Sequence, residues 1–181
     1  MSETALLAHD HSELDSAQVE LVSALAEGDA ARSLQRLDFF WARLAMHIRA
    51  ENIHLFPTLL RTVEASPGSR TPAAMPGPEE IRDIVRQLRG DHDFFMNELT
   101  AAVKQLRALS GSNQPGDLRE VTDRIGAVSR RLETHNTLEE SQVYHWASLL
   151  LDPPAQSALN ESIRHELENL PHRFRRTAED H

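Results

Sequence analysis

Two His-x-x-x-Glu pairs, His47 with Glu51 in HIRAENIHLFP and His135 with Glu139 in HNTLEESQVYHW, carry the residue types that ligate metals. Four residues turn an α-helix through roughly 400°, so an imidazole and a carboxylate at that interval project from one face with ~6 Å of rise between them and can reach one ion. Single histidines, His11 and His92, fall on the apolar faces of two further predicted helices. The chain thus offers four nitrogens and two carboxylates to one interior. A dinuclear site uses all six, with each glutamate able to bridge two ions while neutral histidines complete the ligand shells.

Spacing alone is weak evidence. With 17 glutamates and 10 histidines in 181 residues, about one such pair is expected at random, and three occur. Helical phase separates them. One stripe carries Leu37, Phe40, Leu44, His47, Glu51, Leu55 and Leu59, and another carries Val121, Ile125, Val128, Leu132, His135, Glu139, Val143, Trp146 and Leu150. Both pairs interrupt a core-facing seam, where an ionised carboxylate without a partner costs several kcal/mol and therefore demands a cation or a neutral, hydrogen-bonded form. The third pair, His9 with Glu13, is followed on its face by Ser16, Glu20 and Glu27, a solvated edge. His11 is in better phase, with Leu14, Leu21, Val22 and Leu25. His92 is the polar member of the stripe Ile81, Ile84, Leu88, Phe95, Leu99 and Leu106, a place that alone suits a core histidine. Four histidines at the middles of four apolar stripes point to metal.

Other histidines carry less. His54 follows Glu51 by three residues and suits either an extra ligand or a half-exposed position. His145, beside Trp146, lies off the ligand line, and His9 is a second choice behind His11 on the first helix. His165-Glu166 opens like a zinc-protease motif but has Asn169 where the second histidine is required. His172 and His181 lie in a polar tail. Phe39, Phe40, Trp41, Phe94, Phe95 and Trp146 read as core residues that keep a pocket dry.

The elements that must position these groups are helices. Apolar residues recur at intervals of three and four, without β-type alternation, which makes the chain all-α. ASPGSRTPAAMPGP (Ala65 to Pro78) and SGSNQPGD (Ser110 to Asp117) are strong breaks, and Glu27-Gly28-Asp29 is a weaker one. Helices are predicted over about Ser12 to Glu27, Ala30 to Glu64, Glu79 to Leu109 and Leu118 to Leu151, stopped by Pro153 and Pro154. Short connections favour an up-down-up-down four-helix bundle over residues 1–151, with residues 152–181 as a short C-terminal helix or tail. A lone histidine followed by His-x-x-x-Glu occurs in each half, a weak internal duplication.

Composition narrows the partners. The balance of 28 acidic against 19 basic residues leaves a net charge of -9, which repels nucleic acid and anionic membranes. The chain has no cysteine, so any metal is held by nitrogen and oxygen, with iron, zinc and manganese all acceptable. The acidic start and the lack of an 18-residue apolar run predict a cytoplasmic address.

In order, His11, His47-x-x-x-Glu51 with Leu55 to Pro57, His92 and His135-x-x-x-Glu139 resemble the hemerythrin-like HHE cation-binding family over about residues 6 to 150. The resemblance implies a four-helix bundle around two iron ions, both glutamates bridging and the histidines terminal. Oxygen-carrying members place two histidines four apart on the third helix, whereas His92 has Met96 at plus four and Leu88 at minus four. The fourth helix ends its motif in Glu139, the bacterial and regulatory pattern. Fewer protein ligands leave coordination positions open to oxygen, peroxide or nitric oxide, and His54 is the residue placed to restore a nitrogen.

The expected protein is therefore a di-iron protein that binds or senses oxygen, nitric oxide or peroxide, with no protein partner readable. An enzyme-class alternative is a di-iron redox enzyme or an iron donor for iron-sulfur cluster repair, disfavoured because the cysteines that often accompany that activity are missing. A metal-free helical adaptor or regulator is the third.

Overall fold

The structure is a computed structural model that describes residues 4–65, 76–110 and 118–174. Described residues form helices α1 (Thr4–Ala26), α2 (Ala30–Ala50), α3 (Phe56–Ala65), α4 (Pro78–Ser110), α5 (Arg119–Leu138), α6 (Tyr144–Leu150) and α7 (Pro153–Leu167), and no strand occurs among them. Most of the two predicted breaks, residues 66–75 and 111–117, lies outside the described residues, as does His181. No described helix is long and apolar enough to cross a membrane.

Two of the expected helices are each divided in a way that periodicity did not foretell. A π turn, Glu51–Leu55, separates α2 from α3, and another, Glu139–Val143, separates α5 from α6. In each the backbone N–H five residues on, at Phe56 or Tyr144, donates to the glutamate carbonyl. Pro57 has no N–H to give to the ladder, which accounts for the first widening. Nothing in the second turn supplies a similar cause. α1 begins eight residues before its expected start at Ser12, so His11 sits well inside a helix.

The weak break at Glu27 to Asp29 acts as predicted. Gly28 adopts φ +75°, the left-handed conformation that closes a helix at little cost for glycine, and the Asp29 side chain accepts the Arg32 N–H at 2.9 Å to start α2. Pro153 and Pro154 both end one helix and begin another: Asp152 caps α7 at Ala155, and the prolines occupy the first positions, where a missing N–H costs nothing. α7 then buries Leu159, Ile163 and Glu166 against the rest of the molecule.

α1 packs on α2, α2 on α4, and α4 on α5, with α1 and α5 meeting more sparsely. That order is compatible with the expected four-helix bundle. Its apolar interior falls into two layers. One contains Leu14, Leu21, Phe40, Leu44, Phe95, Leu99, Ile125 and Leu132. The other contains Leu7, Phe56, Leu59, Ile81, Leu88, Trp146 and Ile163. The buried polar residues lie between them along the chain, since His11 is flanked by Leu7 and Leu14 and His92 by Leu88 and Phe95.

Candidate metal centre

His11, His47, Glu51, His92, His135 and Glu139 are all buried, and the two glutamates have no exposed surface. They form two overlapping groups. His11, His47, Glu51 and Glu139 bring one potential ligand atom each within 4.8 Å of one another, and so do Glu51, His92, His135 and Glu139. Each carboxylate faces both groups. Glu51 puts Oε1 3.3 Å from His47 Nε2 and Oε2 3.3 Å from His92 Nε2. Glu139 puts Oε2 3.6 Å from His11 Nε2 and Oε1 3.3 Å from His135 Nε2.

Hydrogen bonds at the far side of each ring fix which nitrogen is free. His47 Nδ1 lies 2.9 Å from Asp10 Oδ2, His135 Nδ1 3.2 Å from Asp91 Oδ2, and His11 Nδ1 2.7 Å from Glu140 Oε1. A carboxylate only accepts, so each of these Nδ1 atoms carries the hydrogen and each neutral ring turns a lone pair inward at Nε2. The fourth ring, His92, meets the Asn52 side-chain amide at 3.1 Å, whose oxygen would accept the same Nδ1 hydrogen in the alternative amide orientation. Arginines hold the aspartates in turn: Arg43 donates to Asp10, and Arg131 Nε donates to Asp91 at 2.6 Å.

The inward nitrogens then meet in pairs. His11 Nε2 lies 3.1 Å from His47 Nε2, and His92 Nε2 3.2 Å from His135 Nε2. Two lone pairs at that distance repel unless a cation or proton sits between them. Glu51 Oε2 and Glu139 Oε1 are buried without a hydrogen-bond partner, which buried carboxylates rarely tolerate. The donor set therefore fits metal ions of borderline hardness.

Protons can occupy the same places. Burial opposes a charge on His47, but the Glu51 and Asp10 carboxylates outweigh it and hold its pKa well above the usual histidine value. For His135 the same contest, between burial and the charges of Glu139, Glu51 and Asp91, ends at about 9. Burial would raise the Glu51 carboxyl, yet His47 and His92 hold it well below its usual range. Asp10 is likewise kept low, despite burial, by His47 and Arg43.

Among the described residues, Tyr144 brings a hydroxyl into this stratum. Its oxygen lies 3.1 Å from Glu51 Oε1, 3.2 Å from His11 Nε2 and 3.4 Å from Glu139 Oε2. Burial first, then the charges of Glu139 and Glu51, push its pKa well above the ordinary tyrosine value.

Sequence reasoning missed Asp10, Asp91, Arg43, Arg131, Asn52, Glu140 and Tyr144. A signal existed for most of them, because both halves carry Asp-His followed by Arg-x-x-x-His-x-x-x-Glu. Among the other histidines, His9, His145, His165 and His172 are exposed. His54 turns away from the cluster, 3.7 Å from Glu166 of α7. Met96 takes no part, its sulfur accepting the Trp41 indole N–H at 3.3 Å. A groove of about 540 Å³ between α1 and α5, with Asp15, Gln18, Arg130 and Asn136 on its walls, reaches His11 and Glu140.

Helices that converge two carboxylates and four imidazoles on a shared buried point define a helical protein with a cluster able to hold metal ions. The chain belongs to the hemerythrin family: the hemerythrin HHE cation binding domain matches residues 2–147. No curated protein and no solved structure gives a significant match.

Proposed function

We propose that the protein is a non-haem di-iron protein that binds or senses oxygen, nitric oxide or peroxide. In this reading α1, α2 with α3, α4, and α5 with α6 are the four members of an up-down-up-down bundle, and residues 152–181 are appended to it. His11 and His47 hold one ion, His92 and His135 the other, and Glu51 and Glu139 bridge the pair. The observation that carries the proposal is the facing of the imidazole Nε2 atoms at 3.1 and 3.2 Å beside two carboxylates that each span both groups. Iron held there supplies a redox-active centre with exchangeable positions for a small ligand.

The chain's own residues do the rest. Asp10 and Asp91 fix the histidine tautomers, and Arg43 and Arg131 fix the aspartates, so the ligands are oriented before an ion arrives. The two apolar layers keep bulk water from the carboxylates. The groove at His11 gives a diatomic molecule or peroxide a polar approach, with Glu140 at its inner end.

Element-resolved metal analysis of protein purified without added metal tests the proposal. Iron near two equivalents, with the ultraviolet absorption of an oxo-bridged ferric pair, is expected. A stoichiometry near zero for every transition metal eliminates it, and zinc or manganese alone eliminates the redox and gas-binding part.

A further inference from the structure

The two halves of the centre repeat one another beyond their ligands. Asp10-His11 matches Asp91-His92, Arg43, His47 and Glu51 match Arg131, His135 and Glu139, and each glutamate opens a π turn. The match extends to ring packing across the halves. Phe56, five residues after Glu51, stacks on His92 with centroids 5.9 Å apart and planes at 11°; Tyr144, five residues after Glu139, stacks on His11 at 5.8 Å and 26°. At this pair of positions the correspondence fails by one oxygen atom.

We propose, resting on the di-iron reading, that the Tyr144 phenolic oxygen is a ligand of the ion held by His11, His47, Glu51 and Glu139, so that the two metal positions are chemically unlike. Atoms bound to one ion at about 2.0–2.2 Å stand roughly 3 Å apart. The Tyr144 oxygen lies 3.1, 3.2 and 3.4 Å from three of the four atoms that face the His11 position. Those are the separations of neighbouring vertices around a shared ion. As a hydrogen-bond donor alone, the hydroxyl has one hydrogen for three acceptors. As a ligand it serves the same cation that the other three serve, releasing its proton to solvent on coordination.

The consequence is a division of labour. A phenolate oxygen is a hard, anionic donor that favours the ferric state, and the His11 position gains it. At the His92 position the corresponding ring is Phe56, which has no donor, so that position has one protein ligand fewer. Met96, four residues after His92 on α4, supplies no nitrogen there, its sulfur being engaged by Trp41.

The test uses the full chain, freed of metal, loaded with ferrous iron under argon and then oxidised in air. Iron content, visible absorption and resonance Raman spectra are recorded for the wild type and for Tyr144→Phe. The wild type is expected to show a visible phenolate-to-iron charge-transfer band with tyrosine ring modes enhanced under it. Tyr144→Phe is expected to lose band and ring modes while keeping at least one bound iron. Full iron loading of the wild type without phenolate modes overturns the inference and leaves the di-iron reading standing, as does a band that survives Tyr144→Phe. Iron content near zero overturns both. The wild-type spectrum decides the matter even where the variant folds poorly.

Discussion

The half of the centre built from α1 and α2 and the half built from α4 and α5 repeat the same histidines, glutamates, aspartates, arginines and π turns, yet they are sheathed differently. Over the first half lies α7, whose Glu166 accepts a hydrogen bond from Arg49 at 2.7 Å and faces His54 at the first π turn. Beside the second π turn the surface opens into the groove that ends at Glu140. The supporting aspartates differ too: Arg43 is one-fifth exposed beside Asp10, whereas Arg131 is nearly half exposed beside Asp91. On the di-iron reading, what repeats sets where ions would sit, and what does not repeat would set how tightly each is held and from which side it is approached.

The comparison is broken most completely at a shared residue. Glu139→Ala removes a carboxylate that faces both groups, so both ions are expected to be lost together, and with them the stability that ligation contributes. That is about 4 kcal/mol when free metal exceeds Kd a thousandfold, read as a chelator-insensitive melting temperature. Unchanged metal content and an unchanged melt would mean that the halves hold their ions independently or hold none.

A smaller effect is expected from pH in metal-free protein. His135 keeps its proton to about pH 9 when folded, against 6.5 as the ordinary value. A raised pKa means that the stabilisation is fully present below pH 6.5 and fades as pH climbs to about 9, by up to about 3 kcal/mol. Urea unfolding across that window should show the decline, and metal affinity should rise over the same range because each ion displaces protons. A flat profile would sink the claim that protons stand in for the cations.

Asp10→Asn and Asp91→Asn sharpen the contrast between halves. Each removes the acceptor that sets a histidine tautomer, and losses of about 10–100-fold in metal affinity are expected. The deeper Asp10 should cost more, so competition titrations that find Asp91→Asn the worse of the two would reverse the ranking. The least effect belongs to Glu166→Ala, which removes a partly exposed ion pair with Arg49. At most about 1 kcal/mol is expected in a melt, with metal content untouched.

Much of this was legible because burial imposes a period. Leu37 to Leu59 and Val121 to Val143 mark buried faces, and a histidine or glutamate in phase with them has to be buried as well. The π turns are invisible to that reasoning, since the residues four on (Leu55, Val143) and five on (Phe56, Tyr144) are all large and apolar or aromatic, and a widened turn selects the latter as well. Asp10 sits one residue, about 100° of helix, from His11. By phase it reads as solvated, yet it reaches His47 on the neighbouring helix. Val22, expected on the inner face of α1, is 45% exposed, because α1 presents Leu21, Ala24 and Leu25 there instead.

The interior is two separate oils divided by a charged sheet, and neither oil shares a buried side chain with the other. In the proposed di-iron reading, cations hold that layer together from within. Stripped of them, the molecule has a built-in parting plane, and amide hydrogen exchange should open first on its two sides, near His47 and His135, while the apolar compartments above and below stay shut.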